Sequence, residues 1–124
     1  MTTLVFTHPE CRLHDMGRGH PECGARLDAI TDHLRATGLD AALVFRDAPL
    51  VDPVALRRAH TAAFVAELDA VLSELETTGD HHAFDPDTIA CAHTRRAVHR
   101  AAGAAVAATD AVVRAPLTGG NAPR

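Results

Sequence analysis

Apolar runs predict two short strands, one on each side of the first helix. Residues 4–6 form an apolar run between a polar start and a His-Pro pair, which is typical of a buried strand that leads into a loop. That loop is expected over residues 7–20, which are polar for their neighbourhood. Residues 42–46 form a second apolar run of the same kind. The pattern therefore predicts a strand, a long loop, a helix and a second strand.

Helical spacing and terminal signals predict four helices. Pro21 suits a first helical turn, and apolar residues then recur at helical spacing until Gly38 ends the segment. Three further helices are expected at residues 53–60, between Thr61 and Gly79, and between Thr94 and Pro116. Residues 79–86, which separate the last two helices, are expected to form a loop.

The order of these elements predicts a single, unfinished α/β unit. The chain has the length of one domain, so residues 1–124 are interpreted as part of one domain. This unit would be mostly helical with two short strands, and two strands make a poor sheet by themselves. Residues 117–124 are rich in Gly, Asn and Pro and are expected to form a loop or a disordered tail.

Charge and composition exclude some classes of partner. The formal net charge is -4 and basic residues are sparse, which argues against binding to nucleic acid. No apolar run has the length of a membrane span and the start lacks a leader pattern, so a soluble, cytoplasmic protein is expected. The three cysteines are an odd number and are expected to remain thiols.

Several separated motifs are similar to the opening of one enzyme family. They are His14-Asp15 with Gly17, His20-Pro21-Glu22, Arg26-Leu27, Ala29-Ile30, His60-Thr61 with Phe64-Val65-Ala66-Glu67-Leu68, and Ala101-Ala102-Gly103-Ala104-Ala105 with Asp110. On these motifs the chain resembles the N-terminal part of bacterial and class II histone deacetylase-like proteins, including the acetoin-utilisation and acetylpolyamine amidohydrolase relatives. One departure is Gly24-Ala25, where relatives usually carry Pro-Glu. It is expected to loosen the first helical turn, because Gly costs about 1 kcal/mol inside a helix.

The resemblance implies a fold, a reaction and a cofactor. The fold would be the N-terminal part of the arginase-deacetylase type of parallel sheet. The reaction would be hydrolysis of N-acetyl amides, either acetyl-lysine or a small acetylated amine such as an acetylpolyamine. In relatives this chemistry uses a zinc ion held by two Asp and one His, a His pair, and usually a Tyr.

Those catalytic groups are expected beyond the matched motifs. The chain contains no Tyr, and no catalytic residue or metal ligand is assigned within it. The resemblance thus implies zinc for the full-length family but none in this chain. These residues alone are expected to be inactive, as a truncated product, a fragment or a remnant.

Three residues take a role from the resemblance. Arg26 matches the family arginine of an internal channel, where a guanidinium would hold the departing acetate by paired hydrogen bonds. The alternative is an ordinary ion pair on a helix surface. His14 and Asp15 fall in the loop that contributes to the rim of the substrate tunnel in relatives. For them the alternative is a set of loop-stabilising hydrogen bonds.

Two other functions compete with this interpretation. Cys11, His14, His20 and Cys23 have the composition of a structural zinc site, although the five-residue spacer between the two His is tight. Alternatively, the chain is a non-catalytic interaction domain. Open sheet edges and apolar helix faces would then drive self-association, or association with a missing C-terminal part. The adjacent His81-His82 is interpreted as a solvated loop pair.

Overall fold

The computed structural model describes residues 3–114. Within that range the strands are β1 (Thr3–Thr7), β2 (Leu43–Asp47), β3 (His82–Asp85) and β4 (Thr88–Ala90). The helices are α1 (Gly24–Ala36), α2 (Pro53–Ala59), α3 (Ala62–Thr78) and α4 (Thr94–Val113), with two short 3-10 helices at Pro9–Leu13 and Leu39–Ala42. Helices and short strands are therefore mixed, as the expected α/β class requires.

The first two strands form a parallel pair with α1 between them in sequence. Thr3 lies opposite Leu43 and Thr7 opposite Asp47, and the Ala48 amide donates to the Thr7 carbonyl at 2.9 Å just beyond the pair. The two predicted strands are confirmed, with bounds that differ by a residue from the prediction. A parallel pair needs a long crossover connection, and α1 with its flanking 3-10 helices provides it.

The first helix begins three residues later than predicted. Pro21 lies in a bend before Gly24, and His20 Nδ1 accepts a hydrogen bond from the Glu22 amide at 3.1 Å within that bend. A Cβ at position 24 would collide with the main-chain carbonyl of Arg12. The departure from the family pattern at Gly24 thus has a packing reason, because glycine lets the first 3-10 helix approach the start of α1.

That 3-10 helix also corrects the loop predicted over residues 7–20. Pro9 stands in its first turn, where a missing N–H is no loss, and His8 Nδ1 accepts from the Glu10 amide at 3.2 Å. Five residues of the predicted loop, Pro9–Leu13, are therefore helical. So short a segment has too few apolar positions for their spacing to distinguish a 3-10 helix from a loop.

The signals at the ends of α2 and α3 are confirmed. Asp52 accepts from the Val54 amide at 2.7 Å, and Thr61 Oγ1 accepts from the Phe64 amide at 3.2 Å. Gly79 adopts a left-handed conformation with φ of 76° directly after α3, which is the backbone geometry that glycine tolerates best. Local chemistry alone therefore fixes these three helix ends.

The predicted loop at residues 79–86 is wrong, because its second half belongs to a hairpin. β3 and β4 pair antiparallel with an irregular register around the turn, so the described residues contain four strands and not two. Asp85 holds the turn: Oδ1 accepts from the Asp87 amide and Oδ2 from the Thr88 hydroxyl, both at 2.8 Å. The Thr88 hydrogen bond, helped by the Asp87 amide, lowers the pKa of the Asp85 carboxyl.

The buried core lies where α3 meets the hairpin. Its contiguous cluster comprises Leu72, Leu75 and Ala90, with Leu68 packed against them. An ion pair joins α3 to α4, since Arg95 donates to both carboxylate oxygens of Asp69 at 2.8 and 3.0 Å. The Arg95 hydrogen bond lowers the pKa of Asp69. Large apolar side chains such as Phe64 and Phe84 nevertheless remain about half exposed.

The fourth helix also packs closely on the segment that follows β2. A Cβ at Gly103 would collide with the Pro49 carbonyl, and the Val51 amide donates to the His99 carbonyl at 3.0 Å. The helix starts at Thr94 as predicted and ends at Val113, whereas Pro116 and the predicted tail at residues 117–124 lie outside the described residues. Among the described helices, none has the length and apolar character needed to cross a membrane.

Candidate functional site

A large open cavity lies between α1, α3, α4 and the β3-β4 hairpin. Its volume is about 980 Å³, and apolar side chains form most of its wall. Phe64 and Phe84 contribute aromatic surface, and Leu72 forms part of the floor. A concave, mainly apolar cavity with a few polar groups is the usual setting of a ligand site.

Arg26 lies in the first turn of α1 and lines this cavity. Its guanidinium donates to Glu22 Oε1 at 3.1 Å, and Glu22 also lines the cavity. Both side chains of this pair are about half exposed. The bend that contains Pro21 places Glu22 four residues before Arg26, so the two side chains meet as neighbours one helical turn apart. The cavity therefore has one ionic pair in an otherwise largely apolar wall.

The other two residues of the predicted site, His14 and Asp15, lie in different surroundings. His14 lines the cavity, and its Nδ1 lies 2.8 Å from the hydroxyl of Thr94 at the start of α4. Asp15 is exposed, and its carboxylate accepts from the Gly17 amide at 3.0 Å. The structure thus brings His14 and Arg26 to the same cavity, while Asp15 organises the turn of its own loop.

The four residues of the alternative zinc module do not form a metal site. Cys11 Sγ is directed to the Ala97 carbonyl at 3.8 Å, and His14 contacts α4 through Thr94. His20 Nδ1 instead accepts a main-chain hydrogen bond in the bend before α1. Partial burial raises the pKa of the Cys11 thiol, which disfavours the thiolate that zinc requires. The structure gives this alternative no support, because spacing alone does not show where side chains point.

No other cluster suited to a metal ion occurs within residues 3–114. Nowhere in that range do three or more His, Cys, Asp or Glu side chains converge as potential ligands.

A second polar network is centred on Glu10, outside the cavity lining. Glu10 accepts from Arg96 Nε at 2.9 Å and from Arg100 Nε at 2.7 Å, and Arg100 also donates to the Ala48 carbonyl at 2.8 Å. The Arg100 hydrogen bond, with a further contribution from Arg96, lowers the pKa of the Glu10 carboxyl. This network joins the first 3-10 helix, the end of β2 and α4.

The hairpin supplies cavity residues that the sequence did not indicate. His82 and Phe84 both line the cavity, and their rings meet edge to face with centroids 4.6 Å apart. The sequence interpretation placed His82 in a solvated loop. It is exposed but lies on β3, two residues before Phe84.

Comparison with known families decides the ancestry of the chain. The model of the family described as histone deacetylase domain matches residues 20–121. The chain belongs to the histone deacetylase family. A comparison with curated proteins gave no match. Arg26 lies inside the region matched by the deacetylase family model, whereas His14 and Asp15 precede it.

Proposed function

We propose that this chain builds part of the substrate and product cavity of a zinc-dependent deacetylase that hydrolyses N-acetyl amides. Acetyl-lysine or a small acetylated amine such as an acetylpolyamine would be the substrate. Membership of the histone deacetylase family supports the reaction class. The parallel β1-α1-β2 unit is compatible with the first part of an arginase-deacetylase sheet.

The observation that carries the proposal is the position of Arg26 in the wall of an apolar cavity. Its partner Glu22 is itself a carboxylate on a half-exposed side chain. An exposed pair of this spacing contributes only about 0.3–0.5 kcal/mol, so another carboxylate can compete for the guanidinium. Acetate is the carboxylate that amide hydrolysis releases, and a planar guanidinium binds it through two parallel hydrogen bonds.

The loop before α1 would contribute to the rim of the same cavity. His14 presents an imidazole at the cavity wall, and Asp15 shapes the turn that carries the chain away from it. His14 is the residue of this pair that can meet a ligand directly. Asp15 would act through loop geometry, because it does not line the cavity and its Oδ1 accepts from the Gly17 amide.

Residues 3–114 contribute binding surface to this function, and no zinc ligand is assigned to them. We therefore expect that the 124-residue chain alone does not hydrolyse an acetyl-lysine peptide in the presence of zinc. Release of acetate can be followed with a coupled assay, with and without a chelator. Chelator-sensitive hydrolysis by the purified chain would contradict this part of the proposal.

Binding of acetate to the isolated chain tests the role of Arg26. We expect sodium acetate to produce saturable shifts of the Arg26 and Leu27 amide signals in ¹⁵N-resolved NMR spectra. Arg26→Met should abolish the shifts, because it removes both N–H donors but keeps a similar apolar stem. Arg26→Lys should weaken them, because an ammonium binds a carboxylate as a point charge.

Arg35 offers a matched control on the same helix. It lies in the last turn of α1, pairs with Asp32 at 3.7 Å and is about two-thirds exposed. Arg35→Met should leave the acetate response at Arg26 unchanged. The proposal fails if acetate shifts no signal near Arg26 at millimolar concentration, or if Arg26→Met responds like the unchanged protein.

A second proposal follows from the exposed apolar wall of the cavity. Phe64 and Phe84 are 49% and 44% exposed, and both line the cavity. Contiguous exposed apolar surface on a soluble domain often marks an interface with another polypeptide. We propose that the isolated chain self-associates through this face. The alternative is that it remains monomeric.

A further inference from the structure

Thr94 occupies an unusual position at the start of α4. It is only 6% exposed, and it is the one polar residue within residues 3–114 that is buried. Its hydroxyl accepts from the Cys91 amide at 2.8 Å, while its own amide donates to the Cys91 carbonyl at 3.0 Å. This reciprocal pair closes the turn between β4 and α4. A buried hydroxyl at such a junction must satisfy its remaining hydrogen-bonding capacity nearby.

The remaining capacity is used by the loop that carries His14. Thr94 Oγ1 lies 2.8 Å from His14 Nδ1, and Cys91 Sγ accepts from the Asp15 amide at 3.4 Å. The Cys91 thiol is also 3.8 Å from the Leu13 carbonyl. The Thr94-Cys91 turn therefore contacts three consecutive residues of the loop. Met16, which follows them, is buried at 6% exposure.

Counting protons on these groups selects one form of the His14 ring. The Thr94 hydroxyl has one hydrogen and two lone pairs, and the Cys91 amide uses one lone pair. When His14 Nδ1 carries the proton and donates to Oγ1, the hydroxyl hydrogen is free to point to Cys91 Sγ at 3.6 Å. In the Nε2–H tautomer Nδ1 has no hydrogen, so the Thr94 hydroxyl must donate to it. The hydroxyl then has no hydrogen left to donate to Cys91 Sγ. The Nδ1–H form therefore makes one more hydrogen bond.

We infer that Thr94 and Cys91 are positioning residues that hold His14 in its Nδ1–H form, so that Nε2 accepts a hydrogen bond from an N–H group of a ligand in the cavity. The amide N–H of an acylated amine has the required chemistry. The inference rests on the proposed role of His14 at the cavity rim. It adds the direction of the hydrogen bond and the two residues that set it.

The protonated nitrogen of neutral His14 can be read directly from the pattern of two-bond ¹H–¹⁵N couplings of its ring. We expect the Nδ1–H pattern in the unchanged protein and in Thr94→Ser, which retains the hydroxyl. Thr94→Val keeps the shape but removes the acceptor, and we expect it to shift His14 to the Nε2–H form. An Nε2–H ring in the unchanged protein, or a ring unaffected by Thr94→Val, would overturn the inference.

Cleavage by trypsin after Arg18 reports on the position of the loop. Arg18 is exposed and lies between Gly17 and Gly19, beyond the anchored part of the loop. We expect Thr94→Val to accelerate this cleavage about tenfold relative to cleavage after Arg58, because loss of one net hydrogen bond raises the open population by about that factor. Thr109→Val on the exposed face of α4 is the control and should leave the ratio unchanged.

A variant on the loop side guards against general destabilisation by Thr94→Val. His14→Phe removes the same contact without altering α4 and should also accelerate cleavage after Arg18. If it does not, Thr94 does not act through His14 and the inference is wrong. Both readouts are independent of acetate binding at Arg26, so failure of the proposed function and failure of this inference give different results.

Discussion

Two glycines mark contacts between main-chain segments that no other residue permits. Gly24 admits the Arg12 carbonyl, and Gly103 admits the Pro49 carbonyl. Neither glycine has a positive φ, so their role is space and not backbone conformation. In a helix interior glycine is normally a cost, and at Gly103, inside α4, that cost is offset by close packing.

Gly103→Ala should destabilise the protein. Helix propensity alone would favour alanine by about 1 kcal/mol. The added methyl group must displace the segment at Pro49, and overpacking of this kind costs about 1–3 kcal/mol. We expect a net decrease in the free energy of unfolding, measured by urea denaturation. Ala105→Gly, at an exposed position of the same helix, calibrates propensity alone; a gain in stability for Gly103→Ala would show that the contact is not tight.

The residue scale also shows which site assignments a sequence can make. Arg26 could be proposed from the sequence because it sits in a motif whose spacing is local. Thr94 was not found, since its significance lies in a contact with His14 eighty residues away. Nothing in the sequence around Thr94 distinguishes a buried hydroxyl that anchors a distant loop from an ordinary helix-initiating residue.

At the element scale, ionic contacts join the first 3-10 helix to α4. Glu10 bridges Arg96 and Arg100, and Arg100 continues to the end of β2. Arg95 and Asp69 play the same part between α3 and α4. Because each network includes a carboxylate whose pKa is lowered on folding, the packing of these elements depends on pH.

Glu10→Gln should reduce the acid sensitivity of the fold. The pKa of Glu10 is lowered in the folded chain, chiefly by Arg100, so its contribution to stability is complete above the unfolded value of about 4.3. It is lost as the pH falls through the lower folded pKa. We expect the free energy of unfolding of Glu10→Gln to be smaller near neutral pH and to fall less steeply below about pH 4.3.

Urea denaturation at a series of pH values measures both effects. Asp32→Asn is a suitable control, because its side chain is three-quarters exposed and its contact with Arg35 is long at 3.7 Å. It should leave the pH profile nearly unchanged. Parallel profiles for Glu10→Gln and the unchanged protein would contradict the role assigned to the Glu10 network.

Prediction of the elements succeeded where their ends carry local signals. The helix ends are set by Asp52 and Thr61, which cap the starts of α2 and α3, and by Gly79, which ends α3. Each acts within three residues, so its role can be predicted from the local sequence. The β3-β4 hairpin was missed because its strands are only four and three residues long and enclose a Pro. Strands of that length show too little alternation, and their pairing is stabilised by partners outside the segment.

At the scale of the whole molecule, the core is small and one face is apolar and open. The buried cluster around Leu72 serves α3 and the hairpin, while the parallel β1-β2 pair has no further strand within the described residues. Parallel sheets are normally covered on both faces. The cavity wall that contains Phe64 and Phe84, here called the cavity face, is the surface proposed above for self-association.

We expect the isolated chain to self-associate through the cavity face. Size-exclusion chromatography with light scattering should show a mass above 13.1 kDa that rises with concentration. Phe84→Ser and Phe64→Ser should shift the equilibrium towards monomer, because each removes exposed apolar area from the cavity wall. Val112→Ser, at a 78% exposed position near the end of α4 and away from the cavity, should not. A monomer at all concentrations that unfolds cooperatively would argue against this expectation.

The sequence by itself determined the family, the helices and the two longer strands, because motifs, caps and apolar periodicity act over a few residues. Tertiary structure alone decided that Gly24 and Gly103 are points of close contact, that Cys11 faces α4 and not a metal, and that His14 is held by Thr94. These depend on which distant segments meet, and local propensity does not encode the partner. Arg26 belongs to both: a local motif singled it out, and the tertiary structure placed it in the wall of the cavity.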